Sequence, residues 1–137
     1  MSKILVIDDE ATIRKVFIKL LAQEKYKVFT ASNGKKGIEI TKKEKPDLII
    51  LDLKMEGLDG IETLKRIKKF NKHVIVIVLT AYGTMETASG AMKLGAHDFI
   101  AKPFDIAKIR ISIKKALEMQ RLSEEITKLK SKVEKKK

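Results

Sequence analysis

The chain has no cysteine, no tryptophan, two prolines and two histidines, and only 5% of its 137 residues are aromatic. Without thiols there are no disulfides and no thiolate metal centres, and His73 and His97 alone do not make a histidine-rich metal site. No apolar run approaches the ~20 residues that span a bilayer. The opening "SKILVIDDE" has one lysine and a short apolar run before its carboxylates, and lacks the length and cleavage site of a signal peptide. These absences predict a cytoplasmic chain with no membrane partner. Scarce aromatics leave no base-stacking platform. The formal charge of +12 comes from lysines dispersed over every segment. It reads as a lysine-rich, thermophile-like surface, and no direct nucleic-acid binding is expected.

Apolar residues make up 44% of the chain, enough for one domain with a real core. Strand-like and helix-like segments alternate. Strands are expected at 3–7, 27–31, 47–52, 73–80 and 97–101. Helices are expected at 11–24, 35–44, 61–70, 85–95 and 105–120, with Asn33-Gly34 as a breaker and Gly95 as a left-handed helix cap. The strands read as apolar runs rather than alternations, which predicts a parallel sheet covered on both faces. Right-handed crossovers then give a doubly wound α/β fold with helices on both sides. In such folds the site lies beyond the carboxyl ends of the strands.

Asp8-Asp9 end the first strand, Asp52 the third and Thr80 the fourth, and the fifth leads to Lys102. Singly, each has a plain explanation: acidic residues after a strand cap helices, threonine is an ordinary strand residue, and a loop lysine is ordinarily solvated. Jointly they place carboxylates, a hydroxyl and an ammonium on one edge. Close-packed carboxylates repel unless a cation sits among them. An all-oxygen set without His or Cys suits a hard ion, here Mg²⁺. Mg²⁺, an ammonium and a hydroxyl together suit a phosphoryl group. No GxxxxGK[ST] or GxGxxG motif supports a nucleotide. The remaining nucleophile is a carboxylate, which can form an aspartyl-phosphate, and Asp52 on the central strand is best placed.

The segments "VIDDE", "LIILDLKM", "GLDG", "VLTAYG" and "GAHDFIAKPFD", in this order and spacing, resemble the receiver domain of two-component response regulators over about residues 3–118. The resemblance implies a flavodoxin-like strand order 2-1-3-4-5 with five flanking helices. It implies Asp52 as phosphoacceptor and Mg²⁺ held by Asp9, Asp52 and the backbone carbonyl of Lys54, with Asp8 acting through water. Thr80 would bond a phosphoryl oxygen, Ala81 would leave room beside it, and Lys102 would pair with it. Lys102-Pro103 would be a cis peptide, Phe99 the aromatic switch, and Lys54 and Tyr82 the positions that modulate dephosphorylation. The partner implied is a histidine kinase. The chain is then a signalling switch rather than an enzyme, limited to self-catalysed phosphotransfer and slow autodephosphorylation. Phosphorylation would remodel the surface of the fourth helix, fifth strand and fifth helix. The fourth helix contains Gly90, which costs ~0.8–1 kcal/mol against Ala inside a helix. Either the helix is soft and moves, or the glycine permits close packing.

Beyond residue 118, Met119, Leu122, Ile126, Leu129 and Val133 follow heptad spacing. Residues 1–118 are therefore expected as the receiver, and 119–137 as a coiled-coil linker or dimerisation tail of a homodimer. Residues 114–137 hold nine basic and four acidic residues. A receiver followed at once by such a helix resembles the NtrC-like enhancer-binding regulators, which continue into ATPase and DNA-binding output domains and regulate transcription. The alternative is a stand-alone regulator acting through protein contacts. A Mg²⁺-dependent small-molecule phosphatase is disfavoured, because the second acid two positions after the nucleophile is here Lys54. A basic nucleic-acid binder would show steep salt dependence.

Overall fold

The computed structural model describes residues 2–54, 60–81 and 85–135. Its elements are β1 (Lys3–Ile7), α1 (Ala11–Gln23), β2 (Lys27–Ala31), α2 (Gly34–Glu44), β3 (Leu48–Asp52), α3 (Gly60–Phe70), β4 (Ile75–Ala81), α4 (Met85–Lys93), β5 (Asp98–Lys102) and α5 (Ile106–Lys135). All strands are parallel, in the order β2-β1-β3-β4-β5. The doubly wound α/β reading and its strand order hold.

The sheet divides the core into two layers, and the apolar runs feed both. Alternate residues of β1 point to opposite faces. Leu5 and Ile7 join one cluster with Leu64 and Ile67 of α3, while Ile4 and Val6 join the other with Phe17 and Leu21 of α1 and Ile109 and Ile113 of α5. β3 is buried at every position. The edge strands depart from the expectation of cover on both faces, for β5 alternates half-buried and exposed residues and β2 is buried only at Ala31.

β4 begins two residues later than its apolar run suggests. Asn71 Oδ1 accepts from the N–H groups of His73 and Val74 at 3.1 and 3.2 Å, holding the chain in a turn until Ile75. Asn33 and Gly34 do not simply break the chain. Asn33 Oδ1 caps α2 by accepting from Lys36 N–H at 2.9 Å, and Gly34 opens the helix. Gly95 follows α4 with φ +104°, the conformation glycine tolerates best at a helix end. α5 runs unbroken for 30 residues. Among the described residues, no helix is long and apolar enough to cross a membrane.

Candidate phosphoryl-transfer site at the carboxyl edge

The strand order turns back on itself between β1 and β3, and this switch point is where an open α/β sheet forms its crevice. Ile7 lies opposite Leu51, so the next residues outward, Asp8 and Asp52, leave adjacent strands side by side. Both are buried, with residue exposures of 0% and 3%.

Each aspartate uses its two oxygens in the same way. Asp8 Oδ1 accepts from the N–H of Glu10 at 2.9 Å, and Asp52 Oδ1 from the N–H of Lys54 at 3.1 Å. These are Asx turns, in which a short side chain turns its own backbone two residues on. The remaining Oδ2 atoms of both residues accept from Lys102 Nζ, at 3.1 Å from Asp8 and 3.4 Å from Asp52. One ammonium thus bridges the ends of two strands. Arg14 of α1 donates to the carbonyl of Asp8 at 2.8 Å. Gly60 fixes the return of the chain after Asp52: its N–H bonds the Leu53 carbonyl at 3.2 Å, and a Cβ there would collide with the Leu53 backbone.

Lys102 closes β5 opposite Ala81, and the Lys102–Pro103 peptide is cis. The next residue, Phe104, packs its ring at a tilt against the buried Phe17 with centroids 5.4 Å apart, which ties the segment after Lys102 to the core. Thr80 is buried one position beyond Leu79, the residue opposite Asp52. Phe99 stands on the exposed side of β5, opposite Val78. Ala81 ends β4, and Lys54 is exposed. Tyr82 lies outside the described residues.

Electrostatically the site is strained towards neutrality. Burial, and secondarily the charge of Asp8, push the Asp52 carboxyl up to about 6, although the Lys54 N–H and Lys102 pull the other way. For Lys102, burial alone would lower the pKa. The hydrogen bond to Asp8 and the charges of Asp8, Asp52 and Glu10 outweigh it and hold the ammonium above its ordinary value.

The carboxylates of Asp8, Asp9 and Glu10 gather within 4.8 Å of one another. An all-oxygen donor set of this kind fits a hard divalent cation. Sequence reasoning missed Glu10, because a carboxylate following a strand reads as a helix cap. It grouped Asp8 and Asp9 with Asp52, and in the structure Lys102 joins Asp52 to Asp8.

The chain is similar to known proteins in both sequence and fold. The family model described as "Response regulator receiver domain" matches residues 4–114. Sporulation initiation phosphotransferase F of Bacillus subtilis is 43% identical over 118 residues, covering 86% of this chain and 95% of that protein. Transcriptional regulatory protein ZraR of Klebsiella oxytoca is 40% identical over 121 residues, covering 88% of this chain but 27% of the relative. Among solved structures, NtrX from Brucella abortus in complex with ADP superposes with a TM-score of 0.89 at 34% identity, over 94% of this chain and 30% of that one. A response regulator receiver domain protein from Clostridium thermocellum superposes with a TM-score of 0.85 at 38% identity, over 89% and 98%. The chain therefore spans nearly the whole of some relatives and less than a third of others, and it belongs to the response regulator receiver domain family.

Proposed function

We propose that this chain is a phosphoacceptor switch that takes a phosphoryl group from the phosphohistidine of a histidine kinase onto Asp52. An Asp52 carboxylate oxygen attacks phosphorus, the P–N bond breaks, and its electron pair leaves with the imidazole. Asp8, Asp9 and Asp52, with the Lys54 carbonyl, would hold Mg²⁺, which offsets the gathering negative charge when bound. Lys102 shifts its hydrogen bonds to the phosphoryl oxygens, and Thr80 donates its hydroxyl to another. A phosphoryl group adds about −1.5 to −2 charges, so Thr80 is drawn towards it and Phe99 turns from its exposed position into the space released. The α4–β5–α5 surface changes with it. The observation that carries this reading is Asp52 itself, a carboxylate 3% exposed at the end of the central strand and 3.4 Å from the half-buried ammonium of Lys102.

The switched surface is read out by an output that ZraR-like regulators suggest is transcriptional, through domains outside this chain. Dimerisation through α5 accompanies it, supported by the exposed seam of Met119, Leu122, Ile126, Leu129 and Val133. A parallel pair would set Glu125 of one copy beside Lys130 of the other, a complementary flanking contact. A stand-alone regulator remains the second reading, favoured by the near-complete coverage of sporulation initiation phosphotransferase F.

The test is incubation with Mg²⁺ and acetyl phosphate, followed by intact-mass analysis. Wild type should gain one phosphoryl mass, labile to hydroxylamine, and Asp52→Asn should gain none. An adduct on the variant, or none on wild type, would overturn the reading.

A further inference from the structure

Glu10 carries a contact that no motif implies. It is the N-cap of α1, with φ −88° and ψ 116°, yet its side chain makes no capping hydrogen bond. An N-cap residue ordinarily gives its side-chain oxygen to an N–H of the first turn. Here Oε1 lies 3.6 Å from Lys102 Nζ, as a third carboxylate around that ammonium. The three carboxylates differ in depth, since the Asp8 and Asp52 side chains are 0% and 4% exposed and that of Glu10 is 60% exposed. Lys102 therefore reaches from the floor of the pocket to its rim.

We propose that Glu10 is a positioning residue that retains the Lys102 ammonium at the rim while its hold on Asp8 and Asp52 is given up. The proposal rests on the function above. A divalent cation held by the aspartates would add positive charge near the ammonium that now bonds Asp8 and Asp52, and like charges in close approach repel. Lys102 must withdraw, yet it must stay close enough to meet the arriving phosphoryl group. A lysine on a four-carbon stem released into solvent regains many rotamers and must lose them again on return. The Glu10 carboxylate gives the displaced ammonium an acceptor on the solvent side, so the exchange at Asp8 and Asp52 proceeds without releasing the side chain. The competing accounts are that Glu10 merely adds negative field near the cation, or that it gives the cation a ligand oxygen, as its place beside Asp8 and Asp9 allows. They differ from the proposal in that the effect of Glu10 would not pass through Lys102.

A double-mutant cycle on Mg²⁺ affinity separates them. Mg²⁺ is titrated calorimetrically into the unphosphorylated chain as wild type, Glu10→Gln, Lys102→Met and the double variant. Thermal unfolding in Mg²⁺ checks that each is folded, with Lys102→Gln as the replacement should Lys102→Met not fold. Glu10→Gln alone should weaken Mg²⁺ binding about three-fold, the scale of an exposed ion pair. Lys102→Met removes the competing ammonium and should bind Mg²⁺ more tightly than wild type. Adding Glu10→Gln to it should produce less than half the loss, on a logarithmic scale, seen in wild type. An equal or larger loss in the Lys102→Met background overturns the proposal, as does no loss in the first. Wild type that binds Mg²⁺ beside a silent Glu10→Gln removes this inference alone. Wild type that takes up no Mg²⁺ removes the proposed function with it.

Discussion

The carboxyl edge of the sheet and the tail of α5 both hold groups where folding ordinarily avoids them. At the edge, Asp8 and Asp52 are buried carboxylates; along the tail, five apolar side chains from Met119 to Val133 stand 47–61% exposed. They differ in where compensation comes from. The edge finds it inside the chain: Lys102 meets Asp8, Asp52 and Glu10, and among the described residues no buried side-chain polar atom lacks a partner. The tail does not. α5 buries Ile109, Ile113 and Ala116 within the domain. Beyond Leu117 that same face turns mostly polar, and Gln120, Ser123, Glu124 and Thr127 line a groove with His73, Ile75 and His97, with Met119 also in its wall. Leu122, Ile126, Leu129 and Val133 do not line that groove and stand exposed. One region is complete in a single copy, and the other leaves an apolar stripe exposed, which the proposed dimer would cover.

The largest expected effect breaks the edge. Asp52→Asn should abolish phosphoryl incorporation from acetyl phosphate, read by intact mass. The next contrasts the two halves of α5. Ile113→Ala removes a fully buried side chain and should destabilise the fold by about 2–5 kcal/mol in urea denaturation. Ile126→Ala, at a site 53% exposed, should leave the stability of the isolated chain within about 0.5 kcal/mol. It should instead lower the dimer fraction in sedimentation. Equal effects on stability would mean that the tail docks on its own domain.

Smaller, and specific to the edge, is a pH effect. The Asp52 carboxyl is raised from 3.8 to about 6, mainly by burial. The folded state therefore holds this proton more tightly than the unfolded chain does. The stability it contributes is full below pH 3.8 and is lost as pH rises through about 6. Without divalent ions, wild type should lose on the order of 3 kcal/mol across that window from this group. Asp52→Asn should lack the loss and be the more stable protein near neutrality. Mg²⁺ should narrow the difference by stabilising wild type alone. A parallel pH dependence of the two proteins in urea would show that the buried carboxylate is not the source.

The sequence made the edge legible because one rule, that parallel strands end together, collects Asp8, Asp52, Thr80 and Lys102 without knowledge of any side chain. Buried strands such as β1 and β3 announced themselves as unbroken apolar runs. The edge strand β5 did not reveal its half-exposed alternation, which depends on having a neighbour on one side only. The start of β4 was misplaced because Asn71, outside the apolar run, holds the turn. Glu10 was hidden for a different reason. Capping and ion pairing differ by a side-chain rotamer, and that choice is set by a lysine distant in sequence. On the tail, heptad spacing was plain, but spacing names a face and not what covers it.

The smallest effect concerns α4, which packs on β4 and β5. Gly90 could have been a packing requirement or a softening element. A Cβ built on it meets nothing within 4 Å, and its φ is not in the left-handed region. Close packing therefore does not demand glycine, in contrast to Gly60, where a Cβ would strike the Leu53 backbone. Helix interiors favour alanine over glycine, chiefly by restricting the unfolded chain. Gly90→Ala should thus stabilise the domain by about 0.5–1 kcal/mol, read from the urea midpoint. If α4 is soft so that it can respond at the carboxyl edge, the same substitution should raise amide-exchange protection in α4 but not α3, and should shrink the change in α4 protection on phosphorylation. Added stability with an unchanged response would leave the glycine without a part in switching, and destabilisation would show a neighbour that the open space around Gly90 does not contain.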